Sequence, residues 1–408
     1  MERNQIMEKL TSRKDALALL FEKWAVPTQT EVVPVTEALG RVPVGAYTAQ
    51  HSIPVVRASA MDGVAVHSSR FADGMPDTSA WQRGVDYDRA DTGDDFDDKF
   101  DAVIRIEDVT LLPSGGIQIH EGVTVTPGMN VRGAGSSFRA GAKLIDSGLP
   151  LRPCDLASLA MGGVLEVEVY KKPRVAFIPT GSELIPIGTP LRRGCNYDTN
   201  SLLVRLTLEE MGAQPICFPI VRDDLDQLKE ALHKALTEAD IVIINGGSSK
   251  GDEDFNTRLL ASEGELLFHG VSAAPGRPMA ISIVNGTPVI NMAGPALAAF
   301  YTLEWCIRAI VCRCLHLPVP EKQKIRGVLT KDFHGGSPID FLCRVEVRRS
   351  ENGYTITPFD RGQADLPTTL RTNAMYISVA GDKNYTAGDE LEVELLRNIA
   401  EIPDAEER

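Results

Sequence analysis

Between residues 174 and 245, short continuous apolar runs alternate with longer segments whose apolar residues recur every three or four positions. Runs of the first kind are typical of buried strands, and the longer segments are typical of helices with one buried face. In chain order the pattern predicts strand 174–178, helix 198–211, strand 216–221, helix 225–236 and strand 241–244. The first helix should begin at the capping residues Asp198, Thr199 and Asn200 and stop at Gly212. This β-α-β-α-β order predicts a parallel sheet with right-handed crossovers.

The rest of the chain divides into segments with other patterns. Residues 1–24 predict an amphipathic helix, and the Gly- and Asp-rich residues 70–150 predict a small β-rich lobe. Short alternating runs over residues 325–396 predict a final all-β domain. The smaller predicted features are the apolar face Leu10, Leu17, Leu20 and Phe21 on the first helix, a helix and a strand within 151–172, a hairpin with an Asn-Gly turn over 279–292, and a helix from Pro295 to about Leu315.

Charge and hydropathy exclude two classes of partner. A net charge of −14 argues against a nucleic-acid surface, which requires clustered Lys and Arg. The most apolar late stretch, residues 297–317, is interrupted by Glu304, Arg308 and Arg313, so no membrane span is predicted. Residues 1–24 lack the apolar core of a signal peptide, and we therefore expect a cytoplasmic protein.

Several other polar clusters lack the spacing of a chemical site. The seven cysteines contain no paired CxxC spacing, so we expect buried thiols and not a metal site. The acidic run Asp94–Asp101 does not follow the ligand spacing of a calcium loop and is typical of a solvated loop. The histidines form no HExxH motif or triad-like group, which leaves zinc hydrolysis and serine catalysis without support.

The strongest chemical signal is the sequence "INGGSSKGDEDF", which follows the apolar strand ending at Ile244. Bare backbone and small hydroxyls allow close approach to phosphate, whereas the acids that follow would repel phosphate unless a metal ion lay between them. Acids also follow the two other predicted parallel strands. Ligands bind at the carboxyl ends of such strands. We therefore expect the acids Glu183, Asp223, Asp252 and Asp254 to converge around a Mg²⁺-bridged phosphate.

A series of motifs in fixed order then resembles the molybdopterin molybdenumtransferases, the MoeA type shared with the gephyrin E domain. The resemblance spans nearly the whole chain. It rests on "SAMDGVAV", "FDAVIRIEDV", "NVRGAG", "PTGSEL", "YDTNSLLVRLTLEEMGA", "VRDDLDQLK", "NGGSSKGDEDF", "APGRPMA" and "GQADLPTTLRTNAMYIS". One such motif alone would be weak, but the ordered series is specific.

The resemblance implies an α/β multidomain, MoeA-like fold and an elongated homodimer. The expected parts are an N-terminal linker and dimerisation region (1–50 and 143–172), an inserted β-rich lobe (51–142), a central parallel-sheet molybdopterin-binding domain (173–322) and a C-terminal β barrel (323–408). The implied reaction is Mg²⁺-dependent insertion of molybdate into adenylylated molybdopterin, with release of AMP. Candidate protein partners are a molybdopterin adenylyltransferase and a target molybdoenzyme.

The expected site residues combine the strand-end pattern with the resemblance. The resemblance assigns catalysis to the acids Asp62, Glu183, Asp223 and Asp254, the last three of which would also hold the metal. Asp62 would act across the subunit boundary of the dimer. The expected substrate-binding residues are Thr92, Gly181, Ser182, Gly246, Gly247, Ser249, Lys250, Gly251, Asp252, Arg277, Pro278 and Arg344.

The chain departs from the family pattern at several pocket positions. Gly270 and Ala274 replace two lysines, Arg277 replaces the lysine of "PGKP", and Ser137 replaces a carboxylate. The family sequence "LPGNPVSA" has become "MAGPALAA" (Met292 to Ala299). These departures leave an alternative open: a catalytically altered paralogue that carries a pterin cofactor or assists assembly of a molybdoenzyme.

Overall fold

The computed structural model describes residues 10–246, 255–361 and 366–404. The chain forms two compact units, one of residues 30–170 and one of residues 1–29 together with 171–408. The first described helix, α1 (Arg13–Lys23), belongs to the second unit. In these ranges every helix is too short or too polar to cross a membrane.

The unit of residues 30–170 consists of short antiparallel strands around small apolar cores. Its central ladder pairs Val64 with Ile104, and both side chains are buried. The strands are β1 (Thr30–Pro34), β2 (Tyr47–Thr48), β3 (Ala58–Ser59), β4 (Gly63–Val66), β5 (Tyr87–Ala90), β6 (Ala102–Arg105), β7 (Val109–Leu111), β8 (Ile117–Ile119), β9 (Val131–Arg132), β10 (Lys143–Ile145) and β11 (Glu166–Tyr170), with helix α2 (Pro153–Met161) before the last. Short 3₁₀ turns lie at Val35–Glu37, Ser68–Phe71 and Ile106–Asp108.

The second unit is built on a mixed sheet with helices on its faces. Its elements are β12 (Arg174–Pro179), β13 (Leu184–Ile185), β14 (Asn196–Tyr197), α3 (Thr199–Glu210), β15 (Gln214–Cys217), α4 (Leu225–Glu238), β16 (Ile241–Asn245), α5 (Phe255–Glu263), β17 (Glu265–His269), β18 (Ala273–Ala274), β19 (Ala280–Val284), β20 (Thr287–Met292), α6 (Ala296–Thr302), a π-helical turn (Leu303–Ile307) and α7 (Arg308–Cys314). The strand order is β15-β12-β16-β20-β19-β17. The first four strands are parallel, and β19 is antiparallel to both of its neighbours. The predicted parallel β-α-β-α-β core is confirmed.

Local sequence signals fix the ends of these elements as predicted. Asp198 caps α3 by accepting a hydrogen bond from the Ser201 backbone N–H at 3.0 Å. The same helix ends before Gly212, which adopts a φ of +85°. The predicted hairpin turn lies at Asn285 and Gly286, whose φ values of 52° and 82° suit a two-residue β turn.

Two predicted boundaries are wrong for physical reasons. Ser12 caps α1 from outside the helix, so Leu10 is not part of it, and the residues buried on the helix are Ala16 and Leu20. The strand predicted over 216–221 is β15, which begins at Gln214 and ends at Cys217, four residues early. Pro219 follows soon after and has no N–H to continue the ladder.

The C-terminal strands close into a barrel, as expected. They are β21 (Lys324–Leu329), β22 (Asp340–Ser350), β23 (Gly353–Pro358), β24 (Ala374–Ser378) and β25 (Glu390–Leu395), and the region also contains helix α8 (Leu366–Arg371) and a 3₁₀ turn (Ile399–Glu401). The order β22-β23-β21-β25-β24 returns to β22 through a direct β22–β24 ladder. Strand β18 pairs in parallel with the first residues of β22, and this pairing connects the barrel to the loop before β19.

Candidate active site

The carboxyl ends of β12, β15, β16 and β20 all lie at one edge of the sheet, because these strands are parallel. The chain leaves β12 for β15 on one side and later returns to β16 on the other side of β12. This reversal creates a crevice between the ends of β12 and β16, where open α/β sheets bind their ligands. The predicted residues Gly181, Ser182, Glu183, Asp223 and Gly246 follow strands that end at this crevice.

Two predicted acids meet at the dipeptide Gly181-Ser182. The Ser182 backbone N–H donates to Asp223 Oδ2 at 3.0 Å, and the Asp223 backbone N–H donates to Ser182 Oγ at 3.2 Å. The carboxylate of Glu183 folds back over Gly181, where an added Cβ would lie 2.7 Å from Glu183 Oε2. Both carboxylates are exposed to solvent. The structure therefore brings together acids that follow two different strands.

The ends of β12 and β16 are packed backbone against backbone. Gly246 has a φ of +124°, and a Cβ added there would lie 2.5 Å from the carbonyl oxygen of Thr180. The Thr180 backbone N–H donates to the carbonyl of Asn245 at 2.8 Å. Glycine is therefore required where the loop begins. The other predicted residues of this loop lie outside the described residues: Gly247, Ser249, Lys250, Gly251, Asp252 and Asp254.

A buried network of four asparagines supports this edge, and the sequence analysis missed it. Asn245 Nδ2 donates to the carbonyl of Ala293 at 2.9 Å, and its Oδ1 accepts from Asn200 Nδ2 at 2.8 Å. Asn256 Nδ2 donates to the carbonyl of Gly246 at 2.8 Å and to Oδ1 of the fourth member, Asn291, at 3.0 Å. Two features of the sequence could have indicated the network: Asn245 directly follows the apolar run of β16, and Asn291 lies inside the apolar strand β20.

In the unit of residues 30–170, the predicted residues Asp62 and Thr92 are in contact. The Thr92 backbone N–H donates to Asp62 Oδ1 at 2.6 Å. This hydrogen bond, with a smaller effect from the nearby Arg89, holds the pKa of the Asp62 carboxyl below its usual value. Asp62 is therefore an exposed carboxylate that is charged at neutral pH.

The remaining predicted residues lie in the other unit, on elements next to the sheet. Arg277 and Pro278 belong to the loop between β17 and β19, which reaches the same sheet edge, and Arg277 is exposed. Arg344 is half-buried on β22, whose first residues pair with Ala273 and Ala274 of β18.

The donors at the sheet edge fit a hard divalent cation. Glu183 and Asp223 offer carboxylate oxygens, and Mg²⁺ is commonly held by one or two carboxylates together with water and substrate phosphates. In the part of the chain that the structure describes, no group of three His, Cys, Asp or Glu side chains is placed to hold a metal.

Comparison with known proteins matches almost the whole chain. Residues 11–163 match the family model of the MoeA N-terminal region (domain I and II), and residues 176–312 match that of the probable molybdopterin binding domain. A molybdopterin molybdenumtransferase of Haemophilus influenzae is 30% identical over 310 residues, which cover 73% of this chain and 76% of that protein. A molybdopterin molybdenumtransferase of Bacillus subtilis is 27% identical over 388 residues, 90% of each chain.

A solved structure confirms the fold. The molybdopterin biosynthesis MoeA protein from Pyrococcus horikoshii has a TM-score of 0.76 and 24% sequence identity, over 96% of this chain and 100% of that one. The match extends through the sheet and the C-terminal barrel. The MoeA-like multidomain fold expected from the motif order is therefore correct.

Proposed function

Since the chain belongs to the molybdopterin molybdenumtransferase family, whose enzymes act in molybdenum cofactor biosynthesis, we propose that it inserts molybdate into adenylylated molybdopterin, with Mg²⁺ as cofactor and AMP as second product. Molybdopterin and molybdate are its substrates. The observation that supports the finer reaction is the meeting of Glu183 and Asp223 across Gly181-Ser182 at the sheet crevice.

In this proposal each group of residues has a distinct task. Glu183, Asp223 and Asp254 would hold Mg²⁺, and the bound ion would supply Lewis-acid chemistry and positive charge for the phosphates. The pterin phosphate faces the loop that begins at Gly246 and includes Gly247, Ser249, Lys250, Gly251 and Asp252. The arginines Arg277 and Arg344 supply positive charge for the oxyanion, because guanidinium groups bind oxyanions through paired N–H donors.

We also propose a homodimer in which Asp62 and Thr92 of one subunit complete the site of the other. The assignment predicts that mixing an impaired Asp62→Asn chain with an impaired Glu183→Gln chain raises activity above that of either chain alone, because mixed dimers contain one intact site. No recovery of activity in the mixture, or a monomeric mass in solution scattering, would remove Asp62 from the site.

The reaction is tested by incubating purified protein with adenylylated molybdopterin, Mg²⁺ and molybdate, and measuring AMP by chromatography. Glu183→Gln and Asp223→Asn should each slow AMP release by about 10- to 100-fold or more, since loss of a hydrogen-bond partner of a metal ligand already has an effect of this size and these variants change the ligand itself. Asp224→Asn is the matched control. It makes the same charge change one residue away, at the cap of α4, where Asp224 Oδ1 accepts from the Gln227 backbone N–H. No AMP release with bound substrate, or equal effects of all three variants, contradicts the proposal.

A second candidate function is a pterin-binding carrier or assembly partner without turnover. The observation that favours it is the replacement of two family lysines by Gly270 and Ala274. In the structure, Ala274 lies in the β18–β22 ladder, and Gly270 has a φ of +95°. Neither residue has a side chain that can bind an anion. Without two lysines at these positions, the site lacks two charge-assisted contacts of about 1.5–3 kcal/mol each, which would weaken anion binding. Calorimetry separates the two: tight pterin binding without AMP release favours the carrier.

A further inference from the structure

Two groups of polar residues in the sequence lack the spacing of a chemical site, and they differ in the structure. Of the cysteines, Cys154 and Cys217 are exposed, contrary to the expectation that the thiols are buried. The acidic run Asp94–Asp101 belongs to the loop of residues 91–101 between β5 and β6. The same loop carries Thr92, one of the predicted site residues, so whatever holds the loop also places Thr92.

Two aromatic rings anchor this loop in the unit of residues 30–170. The aspartates at positions 94, 95, 97 and 98 are exposed, as expected for a solvated loop. Phe96 and Phe100 of the same run are buried, and both pack in one apolar cluster with Ala65 and Val103 of the central ladder. The acidic run is therefore a solvated edge on a buried apolar base.

One arginine binds the loop from the segment that precedes β3. Arg57 Nη2 donates to the Asp97 carbonyl at 2.8 Å, and Arg57 Nε donates to Asp98 Oδ1 at 3.1 Å. Its Nη1 donates to the carbonyl of Phe100. The guanidinium carbon also lies 4.5 Å from the centroid of the Phe96 ring, which is within the range of a cation–π contact. Arg57 thus binds three acceptors and one ring of the same loop.

The segment 57–62 contacts the loop of residues 91–101 at two further points. The Gly93 backbone N–H donates to the Ser59 carbonyl, and the Ser59 backbone N–H donates to the Asp94 carbonyl, each at 2.9 Å. At the end of the segment, Asp62 Oδ1 accepts from the Thr92 backbone N–H at 2.6 Å. The hydrogen bond that orients the Asp62 carboxylate is therefore one of a series, and Arg57 makes the contacts at the opposite end.

We propose that Arg57 is a positioning residue that acts through Asp62; this inference rests on the proposed function. An exposed carboxylate can rotate, and the Thr92 N–H selects one orientation of the Asp62 carboxylate. That selection requires the loop to stay on the segment 57–62, and the Arg57 guanidinium holds it there. Its planar fork of donors suits several acceptors at once, which a lysine ammonium does not reproduce. Arg57 precedes the motif "SAMDGVAV", and the resemblance gives it no role.

Hydrogen exchange of the full chain tests the contact without turnover. Arg57→Ala should speed amide exchange in peptides of residues 91–101 by about tenfold or more, because lost hydrogen bonds lower the free energy of local opening. Arg70→Ala is the matched control and should leave these peptides unchanged. Arg70 pairs with Asp86 at 2.8 Å and lies 5.5 Å from the Trp81 ring centroid, in the apolar cluster on the other face of the central ladder.

A milder variant keeps the comparison possible if Arg57→Ala does not fold. Arg57→Lys retains the charge and the aliphatic stem but loses the fork, so it should speed exchange in the same peptides by a smaller factor. Circular dichroism and thermal denaturation of each variant show whether the chain is folded before exchange is compared.

A double-mutant cycle on AMP release separates positioning from a merely structural role. Asp62→Ala leaves no carboxylate to orient, so adding Arg57→Ala should change its rate by less than about twofold. In the chain that keeps Asp62, Arg57→Ala should slow AMP release by about tenfold, since misplacement of a catalytic group has effects of this order or larger. Arg70→Ala should leave the rate unchanged in both backgrounds.

Each outcome bears on a different step of the inference. Unchanged exchange in residues 91–101 of both Arg57 variants would overturn it, and so would rate effects of Arg57→Ala and Asp62→Ala that multiply. Full activity of Arg57→Ala beside an active wild type would overturn it and leave the proposed reaction standing. If the wild type releases no AMP, the proposed function fails, and the exchange comparison still decides whether Arg57 holds the loop that orients Asp62.

Discussion

Asn245 joins the end of β16 to the segment after β20, and Asn245→Ala tests whether that junction supports the site. The substitution removes the hydrogen bond from Nδ2 to the Ala293 carbonyl (2.9 Å) and the bond that Oδ1 accepts from Asn200 (2.8 Å). It also removes a longer contact to the Met292 carbonyl (3.3 Å), which still accepts from the Gly246 backbone N–H. Asn245 itself is only 2% exposed, so water cannot replace these partners at the surface.

The expected loss of stability follows from the groups left unpaired. The Ala293 carbonyl loses its donor in a buried position, which costs about 1–3 kcal/mol. The Asn200 amide keeps its bond to the Gly294 carbonyl at 2.7 Å, so its share is about 0.5–1.5 kcal/mol. We therefore expect the free energy of unfolding to fall by roughly 2–4 kcal/mol. Urea denaturation followed by tryptophan fluorescence measures it, because Trp24 and Trp305 belong to the same unit as the sheet.

Asn373→Ala provides the matched control. Asn373 is 6% exposed in the barrel and makes two comparable bonds with the Val347 backbone, at 2.7 and 2.8 Å. Both variants should lose similar stability, but only Asn245→Ala should raise the KM for the adenylylated pterin, because only Asn245 holds the loops at the sheet edge. A loss below about 0.5 kcal/mol, or equal kinetic changes in the two variants, would refute this reasoning.

Three further changes have outcomes that the structure determines. Gly246→Ala should strongly destabilise the sheet edge. Gly188→Ala is also at positive φ but has open space around the added methyl, so its free energy of unfolding should fall by only about 1–2 kcal/mol. Thermal denaturation measures both variants. Hydrogen bonds from Arg152 lower the pKa of Asp155 to about 2. The charged Asp155 therefore stabilises the folded state above its unfolded pKa of about 3.9, and this stabilisation is lost as the pH falls toward 2. The small difference in Tm between wild type and Asp155→Asn should shrink over that pH range. Glu346→Gln should destabilise the barrel by about 1.5–3 kcal/mol, because two arginines lose a carboxylate that is only 3% exposed, and a normal Tm would contradict this.

The sheet and its acid-bearing edge were predictable because their signals are local. A strand such as β16 is buried on both faces and therefore reads as a continuous apolar run, and Asp198 marks the start of α3 by its own capping bond. Parallel pairing then places the residues after each strand at one edge. That rule anticipated that Glu183 and Asp223 would meet, although they are 40 positions apart in sequence.

The asparagine network was not predictable in the same way. Asn245 bonds with residues 45 and 48 positions away, and such partners carry no local periodicity. A lone Asn after an apolar run is typical of a turn, so its burial becomes visible only when the neighbouring strands are in place.

The structure also gives a physical reason for the glycine at position 270. Gly270 has a φ of +95°, and a Cβ added there would lie 2.8 Å from Leu10 Cδ2. Its carbonyl accepts from the Thr11 backbone N–H at 3.1 Å, and the Thr11 carbonyl accepts from the Ser272 backbone N–H at 2.7 Å. The segment before α1 is thus docked on this loop. A lysine at position 270 would need both a left-handed backbone and displacement of Leu10.

Restoring the cation is therefore a test of coupling between these two segments. Gly270→Lys alone should lower the Tm, because a non-glycine residue at this φ is strained by about 1–2 kcal/mol and also contacts Leu10. Gly270→Lys combined with Leu10→Ala removes the contact and should recover part of that loss, leaving the backbone strain. If the added charge strengthens molybdate binding in the double variant and not in Leu10→Ala alone, the oxyanion lies near this loop. Independent effects of the two substitutions on Tm would show that Leu10 does not restrict position 270.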